Sequence, residues 1–312
     1  MTPRAVLALR GPGGEPVDVR RTLDSHGFSE LAPARLDRDT HELTTTVRLP
    51  TGKPRRIRLT PGDGAGEVEI DVLGPAPSAA TTGSVQRAAL HILRMDQDLS
   101  AFYAQVGIDP DLSWAATGAG RMLRSQTVFE DVVKTVCTTN CSWGLTVKMV
   151  NALVTHLGEP VAGAAIAADP LTNAFPAPEA MAARPESFYR DTVKAGYRAP
   201  HFRRIAEMVA IEEIDLEALA DTAASDDEVE TVLRTLPGVG PYAAAHIMMT
   251  LGRNSRLILD SWTRPTYARL AGKRRIPADT AIKKRFARYR ENAGLAFWLY
   301  VTRDWITEPD MN

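Results

Sequence analysis

The period of the hydrophobic pattern changes once along this chain, and that change limits the folds open to it. Up to about Val72, stretches such as "ELTTTVRLP" (42–50), "KPRRIRLTP" (53–61) and "GEVEIDVLGP" (66–75) alternate apolar and polar residues and are rich in β-branched side chains. Successive strand side chains point to opposite faces, so this alternation predicts strands with one buried face. Pro-Thr-Gly (50–52) and Pro-Gly-Asp (61–63) punctuate them as turns. "VDVRRTLDSHGF" (17–28) reads as a strand passing into a short helix. From Ser84 onward, apolar residues recur three and four apart, as in "TVFEDVVKTVCTTN" (127–140), "LTVKMVNALVTHLG" (145–158) and "APHFRRIAEMVAIEEI" (199–214). "GPAPSAATTG" (74–83) between the two regimes has the composition of a linker. Segregated strands and helices predict an α+β chain: a small antiparallel sheet domain over 1–78 and a larger all-α region over 79–312.

With 312 residues, 44% of them hydrophobic, there is enough material for a sizeable core. The net charge of −1 announces no global affinity for nucleic acid, but it is unevenly laid out. "AIEEIDLEALADTAASDDEVE" (210–230) is acidic and "GKRRIPADTAIKKRFARYR" (272–290) is basic, so a neutral total can hide one cationic face. The two cysteines, Cys137 and Cys141, are too few for a disulfide framework, and their spacing places both thiols on one face if the helix runs through them. No run approaches the ~18 apolar residues of a membrane span, and the N-terminus lacks a signal-peptide core. The expectation is a soluble cytoplasmic protein.

The most specific stretch is "LPGVGPYAAAHIMMTLGRNSRLILD", Leu236–Asp260. "DDEVETVLRTL" reads as one helix and "PYAAAHIMMTL" as a second, with Pro241 suited to its first turn. Between them "PGVG" must reverse the chain tightly, which glycine permits because it tolerates positive φ. The free backbone N–H groups of Gly238, Val239 and Gly240 at such a turn suit a phosphate, a contact that carries no base sequence. An ordinary αα-turn has the same outline. Asp260 follows after "RLIL", where it can cap the helix of "SWTRPTYARL", serve chemistry, or both.

Hairpin plus downstream aspartate resembles the helix–hairpin–helix (HhH-GPD) DNA glycosylases, whose signature is this hairpin, a Gly/Pro-rich loop and an essential Asp. The resemblance extends over most of the chain, weakly in the N-terminal part. It implies that Asp260 is catalytic. Breaking an N-glycosidic bond builds positive charge on the sugar, and a fixed anion stabilises that charge and orients the attacking water. It also implies a monovalent cation, Na+ or K+, on the backbone carbonyls of Arg234, Leu236 and Val239. "MLRSQTVFEDVVKTVCTTN" and "AGYRAPHF" look like elements of the 8-oxoguanine DNA glycosylases. There Asn140 would contact the base opposite the lesion, Tyr197 would wedge into the duplex and Arg198 would read the orphan base. A further orphan-base arginine of that family falls on Leu145.

Two departures bear on chemistry. Strand-cutting members carry a Lys two residues after the hairpin's last glycine, and its amine forms a Schiff base. That position is Tyr242, and a phenol cannot do this. The base-reading Gln of the 8-oxoguanine enzymes falls on Phe297, within "NAGLAFWLY" (292–300). Tyr242, Phe297 and Trp298 would then give the base pocket aromatic faces. Such faces attract cations and suit bases alkylated on a ring nitrogen. That is the style of the alkylbase enzymes, of the DNA-3-methyladenine glycosylase II type, which lack the Lys and the iron–sulfur cluster. The cluster's four cysteines are absent here as well. The expectation is therefore a monomeric, monofunctional base-excision glycosylase that needs no cofactor and acts on double-stranded DNA holding an alkylated purine. The alternatives are an oxidised-purine or mismatch glycosylase, and a non-catalytic hairpin module that only grips DNA.

Overall fold

The computed structural model of the protein describes residues 4–62, 66–162, 170–221 and 223–305. Its fold is α+β, as the change of period predicts. Five strands, β1 (Arg4–Ala8), β2 (Arg35–Asp37), β3 (Glu42–Val47), β4 (Arg55–Pro61) and β5 (Glu67–Leu73), form one sheet in the order β1-β5-β4-β3-β2. Every neighbouring pair is antiparallel. In β5 the alternation is complete: Val68, Ile70 and Val72 are buried while Glu67, Glu69 and Asp71 are not. Each fully buried side chain of this size contributes about 1.5–3 kcal/mol relative to exposure.

The N-terminal stretch differs from its sequence reading in two places. Val17 and Asp18 are not a strand. Asp18 instead accepts a hydrogen bond from Arg21 N and caps the short helix Val19–Leu23. The linker reading also ends early, because Ser78 caps a helix that runs Ala79–Ile92. Val85, Ala89 and Ile92 of that helix pack with Ile57, Leu59, Val68 and Ile70 of the sheet. The sheet's core therefore reaches past residue 79. Of the Pro-Gly-Asp turn, Asp63 lies outside the described residues.

The helical region holds two cores. One gathers helices Val128–Thr138, Trp143–Leu157 and Ala199–Ala210; the other gathers Ser100–Val106 and Ala293–Thr302. Helix Pro241–Thr250, the second of the hairpin, stands between them. Ala243, Ala244, Ile247 and Met248 face the first core, Ala245 and Met249 face the second, and Tyr242 touches both. A helix that is apolar on every side is one buried on every side, and this is why "AAAHIMM" shows no polar face. The alanines let the neighbouring elements approach closely.

Candidate active site

The hairpin forms where its turn chemistry requires. Ser225 and Glu228 exchange side-chain and backbone hydrogen bonds in a capping box that starts the first helix, Asp226–Leu233. Gly238 then takes φ +82°, in the left-handed region. Gly240 precedes helix Pro241–Thr250 with extended backbone and no side chain to cap it. The N–H groups of the helix's first turn have no intrahelical partner, so those of Tyr242 and Ala243 are left to whatever approaches from outside. The Val239 N–H is used otherwise, donating to the Leu236 carbonyl at 3.1 Å.

The loop that carries Asp260 is pinned from both sides. Arg253 bonds Asp226 at 2.9 Å, Arg256 bonds Glu230 at 2.7 Å and pairs with Asp227, and Ser255 bonds Asp226. The acidic stretch thus ties the loop to the hairpin's first helix. On the other side Gly294 N donates to the Asn254 carbonyl at 2.6 Å. A Cβ at Gly294 would sit 2.1 Å from the Arg256 carbonyl oxygen, so only glycine allows the helix this close to the loop. Asp260 itself is half-buried. Its Oδ1 accepts from Trp262 N at 2.8 Å and Thr263 N at 2.6 Å, and its own N–H donates to Thr263 Oγ1 at 2.9 Å. The carboxylate therefore caps helix Thr263–Leu270, and Oδ2 accepts no hydrogen bond within the described residues.

Between hairpin and loop opens a cleft of about 1030 Å³. Asp260, Tyr242, Asn140, Tyr197, Gly238, Val239, Gly240, Arg234 and Leu236 all line it, with Arg264 and no lysine among the lining side chains. Nine residues singled out in the sequence thus meet in one place. Tyr242 hydrogen-bonds Thr138 Oγ1 through its hydroxyl at 3.3 Å. Burial holds this phenol above its ordinary range, and the charge of Asp260 adds to the effect. Tyr197 is 57% exposed at the rim, and Asn140 Nδ2 donates to its hydroxyl at 3.4 Å. A second hollow of about 570 Å³ shares Tyr242, Leu259 and Arg264 with the first and is flanked by Lys283 and Arg290 of the basic stretch.

Three predicted residues lie elsewhere. Phe297 is fully buried in the second core, its ring against Phe286 and Tyr267, and does not line the cleft. Trp298 also lies out of the cleft on another side, donating its indole N–H to the Ser25 carbonyl at 2.8 Å. Helix Ala293–Thr302 is buried along its whole length, so its apolar pattern does not say which side faces the cleft. Arg198 is buried too. Its guanidinium bonds the Thr139 carbonyl and hydroxyl and stacks 4.5 Å over the Tyr197 ring, which supports that ring from behind. Cys141 falls beyond the end of helix Val128–Thr138, so the two thiols do not share a helical face; its Sγ bonds the Cys137 carbonyl at 3.0 Å.

The sequence reading missed Thr138, Ser261 and Arg264 of the cleft lining, and did not single out Trp262 and His246, which stand beside the cleft without lining it. Trp262 is 40% exposed two residues after Asp260, and its indole meets those of Trp298 and Trp305 at 6.1 and 5.6 Å. His246 follows Tyr242 by one helical turn, a spacing that puts both on one side of the helix. Among the described residues no group of three or more His, Cys, Asp or Glu is placed to hold a metal ion, and no helix is long and apolar enough to cross a membrane.

No protein-family model matches the chain, and no curated protein matches it either. Solved structures do. MBOgg1 in complex with a low-affinity DNA ligand aligns with a TM-score of 0.71 at 19% identity, over 97% of this chain and 96% of its own. The 3-methyladenine DNA glycosylase from Archaeoglobus fulgidus aligns with a TM-score of 0.69 at 18% identity, over 97% of this chain and all 100% of its own. The 8-oxoguanine glycosylase/lyase from Clostridium acetobutylicum, without ligand, aligns with a TM-score of 0.70 at 15% identity, over 96% of each chain. At such identities the likeness is one of fold, and it runs from one end of the molecule to the other.

Proposed function

We propose that this chain, which has the fold of those DNA glycosylases, is itself a monofunctional DNA glycosylase that releases an alkylated purine from double-stranded DNA. One observation carries the reading: Asp260 and the hairpin's Gly238–Gly240 turn line the same cleft, a fixed carboxylate beside the free N–H groups at the start of helix Pro241–Thr250. The hairpin grips phosphate through the N–H groups at its second helix. The carbonyls of Arg234, Leu236 and Val239 are neutral oxygens suited to Na+ or K+, and the Leu236 oxygen keeps one lone pair beyond its bond to Val239. Tyr197 fills the space left by the extruded nucleotide, with Asn140 beside it near the opposing base. The chain is read as an N-terminal part, 1–78, and a glycosylase part, 79–312, whose first helix, Ala79–Ile92, packs with the sheet's core.

In the reaction, the bond between C1′ and the base nitrogen breaks and its electron pair leaves with the base. A purine alkylated on a ring nitrogen is cationic, so it departs neutral and needs no acid. Positive charge grows on the sugar opposite Asp260, whose orientation is already set by the Trp262 and Thr263 N–H groups. Water adds at C1′ and gives its proton to the carboxylate at Oδ2. No Schiff base forms, since Tyr242 supplies no amine. The test is a panel of duplexes, each with one lesion, assayed for free base. 7-Methylguanine and 3-methyladenine should be released, and borohydride should trap no covalent adduct. Efficient release of 8-oxoguanine with both alkylated purines untouched would move the reading to the oxidised-purine class. Binding without release of any base would leave a DNA-gripping module.

A further inference from the structure

His246 is buried to all but 7% of its surface, and neither Nδ1 nor Nε2 has a hydrogen-bond partner among the described residues. A neutral imidazole carries one N–H and one lone pair, and both want partners when water is excluded. The neighbouring rings do not supply them. Phe28 lies 4.9 Å away between centroids, and Tyr242 lies 6.3 Å away with its hydroxyl turned to Thr138. His26, at 5.5 Å, is committed elsewhere: its Nδ1 accepts from Phe28 N at 3.3 Å, and its Nε2 meets the Leu123 carbonyl at 2.5 Å. That pattern fixes His26 as the Nε2–H tautomer and leaves it nothing to offer His246.

The placement of this orphaned ring is specific. Tyr242 lines the cleft, and His246 lies one turn deeper on the same side of helix Pro241–Thr250. The segment Ser25–Phe28 joins this spot to the far side of Asp260. His26 and Phe28 contact His246, while the Ser25 carbonyl receives the Trp298 indole, which in turn touches Trp262. The Trp262 N–H holds Asp260. His246 does not itself line the cleft; it stands behind Tyr242, a cleft residue whose ring meets its own at 6.3 Å. Burial keeps the imidazole well below its ordinary pKa, at about 3, so it arrives neutral with donor and acceptor both available.

We propose that His246 is the specificity-determining residue that hydrogen-bonds the edge of the extruded base. This rests on the glycosylase reading above and narrows it. Because the two tautomers exchange donor and acceptor, one imidazole can serve a keto edge, as in 7-methylguanine, and an amino edge, as in 3-methyladenine. The favoured substrates are then purine lesions that keep their exocyclic oxygen or nitrogen, without distinction between the two.

The test compares the full-length protein with His246→Phe and His246→Gln in single-turnover release of 7-methylguanine and 3-methyladenine from duplex DNA, together with Tm. Phenylalanine fills the space and removes two unpaired nitrogens, so Tm should rise by roughly 2 °C. Release of both bases should nevertheless fall by about tenfold or more, the worth of one lost hydrogen bond in a buried site. Glutamine keeps a donor and an acceptor and should recover most of the rate. Unchanged release in His246→Phe overturns the proposal and leaves the glycosylase reading standing, as does a glutamine variant that is folded and no better than phenylalanine. If the phenyl ring does not fit and the protein unfolds, the glutamine variant with His246→Ala decides by the same rule. Failure of the wild-type protein to release any base overturns both readings together.

Discussion

Two unlike walls flank Asp260. The hairpin wall is backbone: a left-handed Gly238, an uncapped helix start and no side chain at Gly240. Beyond Asp260 stands a wall of rings that does not line the cleft itself: Trp262, Trp298 and Trp305 in mutual contact, with the Ser25–Phe28 segment leading to His246. Backbone donors meet any phosphate equally, whereas rings and one imidazole distinguish flat molecules from one another. The difference teaches that gripping and choosing are built from separate materials here. Asp260 is the point where they meet, since the loop bearing it is tied to the hairpin through Asp226 and Glu230 and its carboxylate is held by Trp262 N.

The largest effect should come from breaking that junction. Asp260→Asn keeps an oxygen for the Trp262 and Thr263 N–H groups, so the loop and the helix it caps should hold. The negative charge opposite the sugar is lost, which removes about 3 kcal/mol or more of transition-state stabilisation and slows base release by orders of magnitude. DNA affinity should be unchanged within about twofold, because the grip lies on the other wall. Base release by a contamination-free Asn variant at the wild-type rate would separate Asp260 from the chemistry and dissolve the division of labour.

The two walls were also unequally legible in the sequence. "PGVG" between helical stretches is a statement about backbone geometry, and local residues decide it. The left-handed Gly238, Pro241 in the first turn and the loop ending at Asp260 follow directly. The ring wall depends on which side of a helix faces which neighbour. In helix Ala293–Thr302 every position is buried, so periodicity could not say that Phe297 points into the core. Likewise "GYRAP" does not reveal that Arg198 folds inward on Thr139 while Tyr197 stays out. His246 carried a usable signal, four residues after Tyr242 in a stretch otherwise apolar, and a lone polar residue there marks a site that packing alone does not explain. Val17 and Asp18 were misread because β-branched residues suggest a strand, while the side chain of Asp18 was already acting as a helix cap.

The next effect is on stability, and buried histidines carry it. Burial pushes His26 and His91 to about 4 and His246 to about 3, all from an ordinary value near 6.5. Below that ordinary value the unfolded chain takes up protons that the folded chain refuses. Stability is therefore present above about pH 6.5 and falls as the pH drops toward the folded values. Between pH 7 and 5 each histidine should remove on the order of 2 kcal/mol. Asp131 works in the opposite direction. Burial pushes it up to about 6, so it binds a proton more readily in the folded state and returns on the order of 1 kcal/mol over the same interval. The net result is a protein that melts earlier at pH 5 than at pH 7. His246→Phe should lose less on acidification than the wild type, by about the share of one histidine. Equal losses in thermal melts at the two pH values would mean that the imidazole is already solvated, and the dry character of the ring wall would go with it.

The smallest effect sharpens the comparison from the hairpin side. Gly240 has φ −91°, which any residue adopts, and a Cβ built there meets no atom within 4 Å. Gly240→Val should therefore fold, at a cost below about 1 kcal/mol. Gly238→Val is the contrasting control, because φ +82° and a Cβ 3.0 Å from the His201 ring leave it strained, at about 1–2 kcal/mol. At Gly240 the added methyls stand where a phosphate would approach the Tyr242 and Ala243 N–H groups. Affinity for damaged and undamaged duplex should fall together, by roughly tenfold, with the slope of log affinity against log salt little changed, because uncharged backbone donors release few counterions. The ratio of damaged to undamaged binding is the decisive number. If it stays constant, the hairpin grips without choosing. If Gly240→Val weakens binding of the lesion-bearing duplex alone, the backbone wall takes part in recognition, and choice of the base is no longer confined to the rings beyond Asp260.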